Sequence, residues 1–192
     1  MAKAGQSGLD GLVASLPRDG SRGLPPVHLW NPPFCGDIDM RIATDGTWFY
    51  LGTPIGRPAL VRLFASVLKR EGEHYFLVTP VEKIGIKVDD APFLAVELRV
   101  EGGVLNFRTN VDEWVAAGPD HALRFEPEQG TGGLKPYLHV RRDLWAKLTR
   151  ALFYELVERG EERMVDGRAM FGVASGGEFY AMAEAGALKE FV

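Results

Sequence analysis

Between Asp37 and Ile42, the apolar residues Ile38, Met40 and Ile42 alternate with Asp37, Asp39 and Arg41. This period of two marks a strand with one buried face. Asp45-Gly46 follows, and both residue types accept the positive φ of a type I′ turn, so Thr47–Leu51 is expected to return as the second strand of a hairpin. Pro58 suits a first helical turn, and Leu60, Val61, Leu63, Phe64, Val67 and Leu68 make an apolar stripe with Gly72 just past its end. His74–Pro80 and Val81–Val88 then read as strands. Phe93–Val100 and Val104–Asn110 read as a hairpin about Gly102-Gly103, and its tail VDEWVAAGPD as a turn or a single helical turn.

Further on, ALRFEPEQGTGGLKPYLHV predicts two short strands around a Gly-rich loop. Asp143 is placed to cap a helix over Leu144–Arg159, in which Leu144, Leu148, Leu152 and Leu156 recur every four residues and Trp145, Phe153 and Val157 widen the apolar face. Gly160 would end it. Strands are expected at Arg163–Val173, broken by the turn Asp166-Gly167, and at Glu178–Met182. Near the N-terminus, Leu9, Leu12, Val13 and Leu16 share a helical face behind the capping-box pair Ser7 and Asp10, and Pro17 stops it. The Gly- and Pro-rich run from Arg18 to Pro33 predicts an extended arm, with Trp30 as the side chain that pins it to the body.

Two stretches resemble each other. Sliding Leu60 onto Leu148 also pairs Arg62 with Arg150, Leu68 with Leu156, Gly72 with Gly160 and Glu73 with Glu161, with hairpins before each expected helix and strands after it. The predicted fold class is α+β: two repeated β-hairpin, helix and strand units with mostly antiparallel sheets. An N-terminal helix and arm (1–33) would precede a first unit (34–90) and a second (91–192).

Composition narrows the function classes. With 46% hydrophobic and 25% charged residues in 192, the chain has the balance of an ordinary folded protein. Its formal net charge of −4 disfavours nucleic acid, whose affinity for proteins comes chiefly from Lys and Arg displacing counterions. A single Cys makes no internal disulfide and fits a reducing compartment. No apolar run reaches the roughly 18 to 20 residues of a membrane span, and the first residues lack a signal-type apolar core. A cytoplasmic protein is therefore expected.

The chemical candidates are few. Cys35 lies beside Asp37, Asp39 and His28, but a zinc site wants about four N or S ligands at loop spacing, and one Cys with two strand carboxylates does not supply them. A Cys nucleophile needs a base and an electropositive setting, which no local signature provides. G-x-S-x-G, Walker A, H-E-x-x-H and G-x-G-x-x-G patterns are missing. No metal or cofactor is expected. In GTPIGRP, Arg57 stands where a helix N-terminus favours anions. In VEKIGIKV, alternation puts Lys83 and Lys87 on one face and Glu82 with Ile84 and Ile86 on the other, so Glu82 needs a partner, for which Arg57 or Arg41 would serve.

The runs WNPPFCGDIDMRI, DGTWFYLGTPIGRPALVRLF and LVTPVEKIGIKVDDAPF are similar to the core of a bacterial family catalogued as domain of unknown function 1285, from about Trp30 onward. The resemblance implies two repeated motifs, a C-terminal half superficially like pleckstrin-homology domains, a binding site where the halves meet, and a regulatory or signal-transduction role without family enzyme activity. The expected long helix precedes the last strands instead of closing the fold, so phosphoinositide binding would rest on fold analogy alone.

These observations together predict a non-catalytic module that binds a small anionic ligand or a peptide or protein partner. Asp37, Asp39, Arg41, Arg57, Glu82 and Lys83 would line its site at the junction, with Arg57 and Lys83 holding the anionic group and Asp37, Asp39 and Arg41 pairing among themselves. The alternatives are a hydrolase or transferase using Cys35 or Asp37/Asp39, and an adaptor that binds only protein.

Overall fold

The alternation at Asp37–Ile42 belongs to a longer strand. In the computed structural model, which describes Val13, Ala14 and residues 23–186, β1 runs Phe34–Ile42 with Met40 and Ile42 buried and Asp37, Asp39 and Arg41 exposed. Most of the expected N-terminal helix lies outside the described residues. The chain separates into two units, Met1–Asp90 and Ala91–Val192. The described residues include fifteen strands and two nine-residue α-helices, so within the expected α+β class the protein is mostly β.

In the first unit, β1 is followed by β2 (Trp48–Tyr50), β3 (Thr53–Pro54), α1 (Pro58–Ser66), β4 (Leu68–Glu71), β5 (His74–Val78) and β6 (Lys83–Val88). The sheet order is β3-β2-β1-β6-β5-β4, with β1 and β6 parallel and every other pairing antiparallel. The β1–β2 hairpin forms as expected, but only Gly46 of its turn pair has positive φ, and the Asp45 carboxylate accepts the Thr47 N–H at 2.9 Å. The paired positive φ of a type I′ turn occurs instead at Leu51-Gly52, between β2 and β3.

Three expected boundaries move. The first helix ends at Ser66, because the Val67 carbonyl accepts the Val78 N–H at 3.0 Å and Leu68 pairs with Leu77 in the sheet. Gly72, expected at a helix end, turns β4 into β5. Val81 and Glu82 are not strand: their N–H groups bond the Thr79 hydroxyl at 3.3 and 3.2 Å in a turn ahead of β6. In the arm, fully buried Val27 is the anchor, within a 3₁₀ turn at Val27–Leu29, while Trp30 is only half-buried. Trp48 and Phe64 stack at 6.2 Å in the core, joining β2 to α1.

The second unit opens with β7 (Phe93–Glu101), β8 (Val104–Thr109) and β9 (Trp114–Ala116). β9 replaces the expected turn, since Val115 pairs with Phe107 and is buried. Then come β10 (Leu123–Pro127), β11 (Leu134–Arg141) and β12 (Leu144–Leu148). The expected helix over Leu144–Arg159 is thus divided. Leu144, Ala146 and Leu148 are buried and alternate with Trp145 and Lys147, so the first part is a strand, and Asp143 sits in the tight turn between β11 and β12. Thr149 is the actual cap of α2 (Arg150–Glu158), accepting the Leu152 N–H at 3.4 Å. A meander of β13 (Glu161–Val165), β14 (Arg168–Ser175) and β15 (Glu178–Glu184) follows, with the expected turn at Asp166-Gly167.

The order of the second sheet, β10-β11-β12-β7-β8-β9, traces the same path as the first. Each is a three-stranded meander followed by another whose last strand runs parallel to the first strand of the pair. The repetition is real at this level, but the superposition of Leu60 on Leu148 is not its register: Leu60 is helical and Leu148 ends a strand. In the first sheet α1 links the two meanders, whereas residues 117–122 do so without a helix in the second.

Candidate functional site

Strand pairing brings four of the six expected site residues onto one face of the first sheet. Asp37, Asp39 and Arg41 alternate along β1, and Lys83 begins the neighbouring β6, paired with Phe34. The expected pairing among Asp37, Asp39 and Arg41 is replaced: Arg41 reaches Asp89 at 3.2 Å and lies over the Phe49 ring at 5.1 Å. A parallel neighbour, rather than the strand's own residues, supplies the room for Asp37, whose carboxylate lies over Gly85. Lys83 is bonded to Glu71 at 2.9 Å and sits 5.0 Å from the Phe76 ring centre. Lys69 shares the same carboxylate at 2.9 Å, and the two lysines, Lys69 first, hold the Glu71 carboxyl below its usual range.

The remaining two residues stand outside the sheet. Half-buried Glu82 lies in the turn before β6, not on an apolar strand face. Exposed Arg57 precedes α1, where its backbone carbonyl accepts the Leu60 and Val61 N–H groups at 3.0 and 3.2 Å. Cys35 is exposed, and its thiol donates to the Pro33 carbonyl at 3.4 Å, which is no base. Among the described residues no group of three His, Cys, Asp or Glu side chains is placed to hold a metal ion.

A concave site appears elsewhere, within the second unit. The start of α2, the end of β12 and the Gly-rich loop before β11 enclose a groove of about 800 Å³. Residues 150, 153, 154 and 157 occupy one face of α2 at i, i+3, i+4 and i+7, while Leu152 and Leu156 on another face fill the core. The strands contribute by alternation: Leu134, Pro136 and Leu148 have core parity, Lys135 and Lys147 the opposite parity. The loop is shaped by its own bonds, Thr131 hydroxyl to Glu128 carboxylate at 2.7 Å and Glu128 N–H to the Gly133 carbonyl at 2.8 Å.

Arg150, Lys135, Lys147 and Glu128 all border this groove, with the two lysines at the strand parity opposite to Leu134, Pro136 and Leu148. The Arg150 guanidinium donates to the Tyr154 hydroxyl at 2.8 Å and lies 5.4 Å from its ring centre, which orients both side chains along the helix. Phe153 is held from behind by Phe125 at 6.3 Å. None of these residues was singled out by motif. Their signal in the sequence was the Gly-rich loop between Glu128 and Lys135 and the helical spacing of Arg150, Phe153, Tyr154 and Val157.

Comparison with known proteins matches residues 25–91 to "Domain of unknown function (DUF1285), N-terminal domain" and residues 92–182 to "Protein of unknown function (DUF1285), C-terminal domain". The chain belongs to the DUF1285 family. A crystal structure of a DUF1285 family protein from Silicibacter pomeroyi DSS-3 is 52% identical, covering 93% of this chain and 98% of its own, with a TM-score of 0.84. A DUF1285 family protein from Shewanella baltica OS155 is 33% identical over 62% of this chain and 90% of its own, with a TM-score of 0.51. Among curated proteins none matches. The DUF1285 N-terminal match holds the charged face of the first sheet, and the C-terminal match holds the residues of the groove except Ala183.

Proposed function

We propose that this DUF1285 protein is a non-catalytic binding module whose second unit takes a small organic anion in the groove beside α2. The observation that carries this reading is a concavity of about 800 Å³ whose border combines Leu134, Pro136, Phe153 and Val157 with Arg150, Lys135, Lys147 and Glu128, a size suited to a small ligand. Charged groups at an apolar wall select a ligand of opposite sign that also covers that wall. A regulatory role follows if the ligand's level sets the protein's state. A pleckstrin-homology-like reading of the C-terminal half would rest on its sheet followed by α2, with three further strands coming after that helix.

The enzyme reading is less well supported. A nucleophile needs a general base within about 3 Å, and the thiol of Cys35 is turned to a backbone carbonyl while Asp37 and Asp39 are exposed. In a panel of carboxylates and phosphates screened by calorimetry, at least one compound should bind the native protein. The Lys135→Ala, Lys147→Ala, Arg150→Ala triple variant should lose that binding. A ligand bound equally by both proteins would place the site elsewhere.

A further inference from the structure

We infer that His139 is a pH-dependent clamp: its imidazolium ties the 117–122 connection to the β11–β12 turn, and loss of one proton releases one of the two ties. Nδ1 of His139 lies 3.0 Å from the Asp120 carbonyl oxygen, and Nε2 lies against the Arg142 carbonyl oxygen. Both partners are acceptors only. A neutral imidazole has one N–H and one lone pair, so it satisfies one carbonyl and turns its lone pair on the other, whereas the imidazolium donates to both. The two carbonyls belong to separate segments. Residues 117–122 link the two meanders of the second sheet without a helix, and Arg142 with Asp143 turns β11 into β12. Arg142 stands at φ 50, in the left-handed region that a residue with a Cβ adopts at a cost, and its carbonyl is the one that Nε2 meets.

The second histidine of this cluster has a different demand. The His121 ring stacks on His139 at 5.8 Å, and its Nδ1 faces the His139 carbonyl at 3.2 Å. One N–H on His121 meets that carbonyl, so the neutral ring suffices there. Two stacked imidazoliums would repel each other, and the single charge falls on the ring that faces two acceptors. Trp145 packs edge-on against His139 at 5.1 Å, with the Arg124 guanidinium 4.3 Å from a Trp145 ring centre. The other charged residues on the segments that meet at the ring are Asp120, Arg141, Arg142 and Asp143. Backbone bonds from the His139 N–H to the Ala122 carbonyl at 2.9 Å, and between Gly118 and His121, do not depend on the proton. Deprotonation therefore loosens the connection locally and leaves the sheet in place.

Nitrogen-15 NMR of the histidine rings in the full chain, with amide hydrogen exchange between about pH 6 and about pH 8.5, tests the clamp across the range where histidines change charge. At the acid end both His139 ring nitrogens should carry protons. A tie made by the charged ring is present at low pH and lost as pH rises. Opening constants of the amides at residues 118 and 121, corrected for the intrinsic exchange rate, should therefore rise about tenfold toward the alkaline end, the effect of losing one such bond. His139→Gln should lack this rise, and His121→Gln should keep it, with circular dichroism verifying that each variant is folded. The ring spectrum of the native protein decides the matter even where a variant does not fold. A His139 ring with a single N–H at about pH 6 would overturn the clamp. So would opening constants that stay level across the range, an equal rise in His139→Gln, or a rise abolished by His121→Gln.

Discussion

The Ser175 hydroxyl accepts the Leu105 N–H at 2.8 Å, across a separation of 70 residues in the chain, and donates to the Ala117 carbonyl at 2.7 Å. Ser175 ends β14 and is buried, so one hydroxyl serves two backbone groups at the start of β8 and just after β9. Ser175→Ala would leave a buried donor and a buried acceptor without their partner, at a cost of about 1–3 kcal/mol. Urea unfolding checks this, and a midpoint unchanged from the native protein would refute the role assigned to the hydroxyl.

The position that starts α2 separates two readings of the same segment. Because Thr149 caps the helix, Thr149→Ala should cost about 1 kcal/mol. Asp143 occupies an exposed hairpin turn, so Asp143→Ala should stay within about 0.5 kcal/mol. Thermal melts of the two variants suffice, and the reverse ranking would mean that the helix begins near Leu144.

Two glycines give opposite expectations. A Cβ at Gly172 would stand 2.2 Å from the Tyr180 carbonyl oxygen and 2.9 Å from the Ala181 Cα, at a bulge between β14 and β15. Backbone would have to separate, so Gly172→Ala should destabilise by about 1–3 kcal/mol or more. At Gly85 the obstacle is the Asp37 carboxylate oxygen at 1.8 Å, the far end of a side chain that can swing away. Gly85→Ala should therefore cost less than Gly172→Ala, and adding Asp37→Ala should restore most of the loss. A double-mutant cycle showing no coupling between residues 37 and 85 would contradict that contact.

Acid should loosen the first unit through Glu71. Its carboxyl is held below the ordinary value of 4.5 by Lys69 and Lys83. A carboxyl whose folded pKa is depressed contributes stability above its unfolded pKa and loses it as pH falls through the folded value. The contribution should be full at neutral pH and fade below about pH 4.5. Glu71→Gln should flatten that part of the stability curve, an effect smaller in high salt because the pair is partly exposed. Equal acid slopes for the native protein and Glu71→Gln would exclude this ion pair as the source.

The sequence by itself determined the features that depend on local alternation and on turn chemistry. Ile38, Met40 and Ile42 against Asp37, Asp39 and Arg41 specify a strand and its wet face, and Asp166-Gly167 specifies a tight turn, because neither requires a distant partner. Leu144, Leu148, Leu152 and Leu156 show where this ends. Spacing of four fits a helix face, and at 144 and 148 it equally fits one face of a strand. Pairing with β11 and β7 decides for the strand there, since backbone bonds to two neighbours outweigh helical propensity over five residues. The same limit hid the groove. Its lining comes from different elements, and only the packing of α2 beside β12 and the Gly-rich loop brings Arg150, Phe153 and Val157 next to Leu134 and Pro136.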